Sequence, residues 1–128
     1  MNQHLRKHER LTAPADFTRC YRHGWRLHTG YFTVYAYHRG EGVSRLGLAV
    51  GKAVGIAVVR NRVKRRLREL FRRHKALVPR GYDLFVRAVP ASASASYAAL
   101  EAAWCEATAK LRAAETPGHG GPKEAYDV

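Results

Sequence analysis

Nine Lys or Arg side chains and a single acid, Glu69, occupy the sixteen residues 60–75, RNRVKRRLRELFRRHK. Guanidinium groups donate paired hydrogen bonds that match phosphate, and so dense a cationic surface repels itself until a polyanion neutralises it. The chemistry on offer is phosphate recognition, and the expected partner is a nucleic acid. The other reactive side chains are dispersed. Phosphodiester hydrolysis by a protein needs carboxylates converging on metal ions. Asp16 instead opens a predicted helix, Asp83 begins a predicted strand, and Glu69 has arginines one turn away. His4, His8, His23, His28, His38, His74 and His119 show neither an HExxH pattern nor Cys/His ligand spacing. No catalytic side chain and no metal site is therefore expected in the protein itself. Cys20 and Cys105 stand far apart without a CxxC pair and are expected as free thiols.

The basic segment keeps the apolar spacing of a helix. Val59, Val63, Leu67, Leu70 and Phe71 share one stripe at about 100° per residue, and Arg62, Arg65, Arg66, Arg68, Arg72 and Arg73 cover the rest of the cylinder. The helix is predicted over residues 56–77, stopped by Pro79 and Gly81. Upstream, Thr12 as N-cap, Pro14 in the first turn and a left-handed Gly24 frame a helix over residues 13–23. Its Phe17, Cys20 and Tyr21 point one way. YFTVYAY, residues 31–37, alternates as a strand does, with Phe32, Val34 and Ala36 facing the core and Tyr31, Thr33, Tyr35 and Tyr37 on a partly wet face. After a turn at residues 39–42, RLGLAV (45–50) and DLFVRAV (83–89) are strands flanking the basic helix, which makes a βαβ unit. A last helix, N-capped by Ser94 or Ser96, turns Tyr97, Leu100, Trp104, Ala107 and Leu111 inward.

At 128 residues and 46% hydrophobic content, the chain suits one compact domain. Residues 1–10 are expected as a flexible basic N-terminus, 11–114 as the domain, and 115–128 as a disordered tail without periodic pattern. The net charge is +13, and the sixteen-residue segment supplies most of it. An anionic membrane would also attract that helix, but its apolar stripe lacks the bulky anchors of an interfacial helix. There is no run of about 18 apolar residues and no apolar centre in the first fourteen residues. A cytoplasmic protein without membrane contact is expected.

AVGIAVVRNRVKRRLREL, residues 53–70, resembles the signature of the bacterial ribonuclease P protein subunit, with Ala57, Arg60, Asn61, Arg62, Lys64, Arg65 and Arg68 at matching spacing. DFTRCYRHG resembles that family's first helix with its two aromatic positions, FTVYAY its first strand, RLGLAVGK its second and DLFVRAVP its fourth, so the likeness covers residues 6–112. The resemblance implies an α+β fold (an α/β sandwich, ribosomal protein S5 domain 2-like). In it a mostly antiparallel sheet carries the basic helix in a left-handed crossover, against the general preference for right-handed ones. It implies one subunit of a ribonucleoprotein that removes the 5′ leader from precursor tRNA, with the catalytic centre in the RNA subunit. Magnesium would be held mainly by RNA oxygens, and the protein would be a monomer, one per RNA.

On this resemblance Lys52, Arg60, Asn61, Arg62, Lys64, Arg65, Arg66 and Arg68 contact the RNA subunit, and Phe17, Tyr21, Thr33 and Tyr35 line a cleft for the single-stranded leader. Aromatic stacking of unpaired bases makes such a cleft physically sensible. Without the resemblance, aromatics spaced at i and i+4 opposite a strand read as core. Ala53 and Ile56 depart from the family's usual Lys and polar residue, and Arg6, Lys7 and Arg10 are candidates to compensate. Two other readings compete: a structural RNA-binding protein whose helix only glues RNA together, and a duplex-DNA module. The second would need a dimer or a second reading element, and neither is evident.

Overall fold

Two helices press their apolar stripes against one face of a sheet, and a third helix lies across part of the other. The structure, a computed structural model, describes residues 5–40 and 42–114, and the backbone of 125–127. The strands are β1 (Trp25–His28), β2 (Phe32–His38), β3 (Arg45–Ala49) and β4 (Tyr82–Ala88), and the helices α1 (Pro14–His23), α2 (Ala57–Arg73) and α3 (Tyr97–Ala114). The sheet order is β3-β4-β2-β1, and a short β5 (Ala125–Asp127) adds in parallel beside β1. β1–β2 and β2–β4 are antiparallel and β3–β4 is parallel, so β3, α2 and β4 form the expected βαβ unit. The chain is a single α+β domain with a mixed sheet.

Val63, Leu67, Leu70 and Phe71 of α2 and Leu100, Trp104, Ala107 and Leu111 of α3 are buried with Leu27, Phe32, Val34, Leu46, Leu84 and Val86 of the sheet. Trp104 sits between Phe32 and Phe71, at centroid distances of 6.1 and 6.4 Å. Ser96 caps α3 as expected, its Oγ accepting the Ala99 N–H at 3.0 Å.

Several boundaries differ from expectation for local reasons. The residue before α1 is Ala13, not Thr12, because a residue preceding proline is held extended; its φ is −73° and ψ 131°. Gly24 is extended too, at φ −83° and ψ 166°, because the chain runs straight into β1. A side chain there would place its Cβ 2.6 Å from the Cys20 carbonyl oxygen and 2.8 Å from that of Ala36, so close approach requires the glycine. Helix α2 ends at Arg73. Lys75–Leu77 is a 3-10 turn, with His74 bonded to Glu101 at 2.7 Å and Lys75 ion-paired with Glu9. Tyr31 precedes β2 and packs with the main core, not with the tyrosine face.

Residues 5–10, expected to be loose, are docked. Leu5 and Glu9 are buried, and the Leu11 N–H donates to the Leu46 carbonyl at 3.0 Å along the β3 edge. Residues 1–4 and 115–124 of the two expected flexible ends lie outside the described residues, whereas Ala125–Asp127 forms β5. Among the described residues no helix is long and apolar enough to cross a membrane.

Candidate nucleic-acid interface

Strand register arranges the face opposite the main core into cross-strand rows. Arg26, Tyr35, Phe85 and Gly47 are successive partners in one row, and Tyr37, Asp83 and Arg45 in the next. Helix α1 lies over these two. Phe17 meets Phe85 edge-on at 5.2 Å, Tyr21 meets Tyr35 at 5.2 Å, and Tyr35 stacks on Phe85 at 5.5 Å. The ring of Phe17 fills the space above Gly47 that any side chain there would need. The Arg19 guanidinium lies 5.5 Å from the centre of the Tyr37 ring.

The tyrosine face is consequently drier than its alternation suggested: Tyr35 is 5% exposed and Thr33 8%. α1 seals it, a non-local contact that strand periodicity does not carry. Of the four expected cleft residues only Tyr21 is open, at 55%. Beside the row of Tyr35 runs a third, His28, Thr33, Arg87 and Ala49, in which Thr33 is buried and His28 half-exposed. There His28 Nδ1 and Thr33 Oγ1 are 3.0 Å apart, and Arg87 is exposed.

Arg26 and Arg87 were not among the residues that the sequence singled out, and His28 stood there only as one of the scattered histidines. Arg87 follows Asp83 and Phe85 at every second residue, and that alternation was the available signal. Arg26 and His28 sit on β1, whose four residues directly follow a helix with no turn residue but Gly24 between.

Helix α2 divides its cations by angle. Arg62 and Arg66 lean toward the segment before α3 and donate to the carbonyl oxygens of Ala93 and Ala95, each at 3.0 Å. Arg60 donates through Nε to the Gly55 carbonyl at 3.0 Å. Asn61 and Arg65 lie on the solvent crest, and Lys52 is exposed in the Lys52–Val54 turn before the helix. Lys64 and Arg68 face the β3 edge. There, with Arg10, Leu5, Leu11, Phe17, Leu46 and Leu48, they line a cleft of about 400 Å³. The basic helix and the aromatic face thus lie on opposite sides of the sheet and meet at this edge, which brings Lys64 and Arg68 to Phe17.

Electrostatics sharpen the division. Burial, and then the charges of Arg10 and Arg65, push the Arg68 guanidinium below its ordinary range. Among the described residues no carboxylate pairs with Lys64, Arg65 or Arg68, whereas Glu69 is taken by Arg72 at 2.7 Å. Asp83 and Asp16 are also engaged. Asp83, fully buried, receives Arg39 at 2.6 Å and both Nε and Nη2 of Arg45 at 2.8 Å. Asp16 pairs with Arg19 at 3.1 Å and Arg45 at 3.3 Å. These carboxylates knit α1 to the sheet, and burial of the Cys20 thiol between them pushes its pKa up to about 12. Both cysteines are free, and among the described residues no group of three His, Cys, Asp or Glu is placed to hold a metal.

A sequence model of the family described as Ribonuclease P matches residues 5–112. The chain is 38% identical over 86 residues to the ribonuclease P protein component of Thermotoga maritima, a match spanning 67% of this chain and 74% of that protein. It is 41% identical over 99 residues to the component of Rhodococcus jostii, spanning 72% and 79%. Among solved structures it is similar to a Staphylococcus aureus RNase P protein mutant, with TM-score 0.76, 30% identity and coverage of 83% of this chain and 90% of that one. It is also similar to the RNase P protein of Thermotoga maritima, with TM-score 0.68, 32% identity and coverage of 80% and 94%. The matched span takes in both the cationic helix and the sheet face under α1, and the chain belongs to the ribonuclease P protein family.

Proposed function

We propose that the chain is the protein subunit of a ribonuclease P ribonucleoprotein, acting in removal of the 5′ leader from precursor tRNA. Its basic helix binds the catalytic RNA subunit, and the face beside α1 holds the leader. The single observation that carries this reading is the set Lys64, Arg65 and Arg68: three cations on two turns of α2 with no carboxylate partner among the described residues. Phosphate contacts position a protein on RNA without reading sequence. Lys52, Arg60 and Asn61 extend the surface toward the helix start, while Arg62 and Arg66 keep donors free beyond those given to Ala93 and Ala95.

The leader runs along the row of His28, Thr33 and Arg87, with Tyr21 offering an open ring and Phe17 and Tyr35 supporting it from below. Each base stacked on an aromatic ring contributes about 1–3 kcal/mol. Hydrolysis belongs to the RNA, a reading supported by the engagement of Asp16 and Asp83 with arginines; magnesium is held there by RNA oxygens. The protein acts as a monomer, one per RNA, in the cytoplasm.

Mixing the purified chain with a bacterial ribonuclease P RNA and a precursor tRNA at low magnesium tests the reading. Stimulated 5′ cleavage is expected with the RNA present and none with protein alone; unaided hydrolysis, or no response to the RNA, would overturn it. A second reading, an RNA glue protein with no leader site, draws on the burial of Tyr35 at 5% exposure. It predicts that Tyr21→Ala binds leader-bearing and leaderless precursors with an unchanged ratio.

A further inference from the structure

Helix α2 begins with residues that do not suit a helix start. The position before it, where Ser, Thr, Asp or Asn ordinarily satisfies the free N–H groups, is Ile56, no side chain caps the helix, and its first turn carries no acid. Ile56 is 72% exposed and Val58 71%; with Tyr21 they are the exposed large hydrophobic residues described. Ala53 and Ala57 are exposed beside them. Single exposed apolar residues are normal on a protein surface, but two β-branched ones on an uncapped tip forgo both capping and helix propensity.

What surrounds them limits what can cover them. Lys52 is exposed in the turn before, and Asn61 and Arg62 lie one helical turn beyond Val58, with Arg65 next along the crest. Residues 42–68 contain no acid. An apolar tip flanked by Lys52, Arg62 and Arg65 fits a polyanion that also offers non-ionic surface, which in folded RNA means ribose carbons and the faces of unstacked bases.

We propose that Ile56 and Val58 pack against the sugar and base surface of the RNA subunit, giving the interface a part of its affinity that salt does not screen. The proposal rests on the reading that α2 binds that RNA. Phosphate contacts release counterions and set the slope of affinity against salt, whereas apolar burial shifts affinity equally at every salt concentration.

The test is a titration of a bacterial ribonuclease P RNA with the full chain, its Ile56→Ser/Val58→Ser double variant and Arg65→Ala, at several salt concentrations. Both apolar side chains are solvent-facing, so the double variant keeps its fold, which a thermal melt verifies. Expected is a loss of about tenfold for the double variant at every salt, with the parent's slope, against a shallower slope for Arg65→Ala. An unchanged affinity, or a loss that appears only as a changed slope, overturns the proposal while leaving the parent reading standing. So does self-association of the parent, seen by sedimentation, that the double variant abolishes, since the tip would then be covered by a second copy. Failure of the parent chain to bind the RNA at all would overturn both readings.

Discussion

The Arg62 guanidinium donates to the carbonyl oxygen of Ala93 at 3.0 Å, joining α2 to the segment that leads into α3. One turn on, Arg66 repeats the contact with Ala95. A cationic helix that fastens itself to its own fold along one side and leaves the other side unpaired should separate stability from RNA affinity, residue by residue.

Arg62→Ala is therefore expected to lower unfolding free energy by about 1 kcal/mol, the scale of a hydrogen bond from a charged donor at a half-exposed site. Arg65→Ala, on the exposed crest, should leave denaturant midpoints unchanged yet flatten the salt dependence of RNA binding by up to about one log unit. Equal melting behaviour of the two variants would refute the division.

Tyr21 and Tyr35 touch at 5.2 Å but differ in exposure, 55% against 5%. Tyr35→Ala should cost roughly 3 kcal/mol, as large aromatic truncations in cores do. Tyr21→Ala should leave stability within about 0.5 kcal/mol and weaken discrimination between leader-bearing and leaderless precursor tRNA about tenfold. Binding titrations with the two precursors, beside thermal melts, separate the effects.

Gly47 has the ring of Phe17 above it, and a methyl group there would overlap that ring. Gly47→Ala must displace Phe17 and tilt α1. The expected cost is about 1–3 kcal/mol by overpacking, along with loss of the Phe17–Phe85 contact, readable as a changed near-ultraviolet spectrum. A variant as stable as the parent would show that α1 yields without penalty.

Burial alone would raise the Glu9 carboxyl, but its bond from Lys75, a second from the Arg6 backbone N–H and the Lys75 charge leave it below its ordinary 4.5. Because it ionises more readily folded than unfolded, its stabilisation is whole above pH 4.5 and drains away as pH falls through the lowered folded-state value. Glu9→Gln should thus be less stable than the parent at neutral pH by about 1 kcal/mol. The gap should close in acid, and urea midpoints across pH 3–7 would check the trend; a gap that widens in acid contradicts it.

Cys20 is buried and its thiol stays protonated up to about pH 12, whereas Cys105 is half-exposed on α3. A thiol reagent at pH 8 should modify one cysteine per folded chain promptly and the second only on unfolding. Prompt modification of both would mean that α1 lifts from the sheet on the timescale of the reaction.

The βαβ unit and the inward stripes of α2 and α3 were legible in the sequence because Val63, Leu67, Leu70 and Leu100, Trp104, Leu111 repeat at helical spacing, and burial follows spacing directly. β1 was not, because WRLH is too short to show alternation. The sealing of Tyr35 and the reach of Arg62 and Arg66 depend on which element lies alongside, which a helical wheel does not encode. Gly24 and Gly47 were visible as glycines, yet the atoms that forbid a side chain, the Ala36 carbonyl and the Phe17 ring, come from elsewhere in the chain.

The ion pair from Glu9 to Lys75 and the bond from the Leu11 N–H to Leu46 fasten residues 5–11 to places made much later. On a ribosome adding about 5–20 residues per second, that segment emerges seconds before either anchor exists. In that interval it is a bare, positively charged ribbon with nowhere to settle. Residues 5–11 therefore cannot dock as they are made, and must wait at least until Leu46 and Lys75 have followed them.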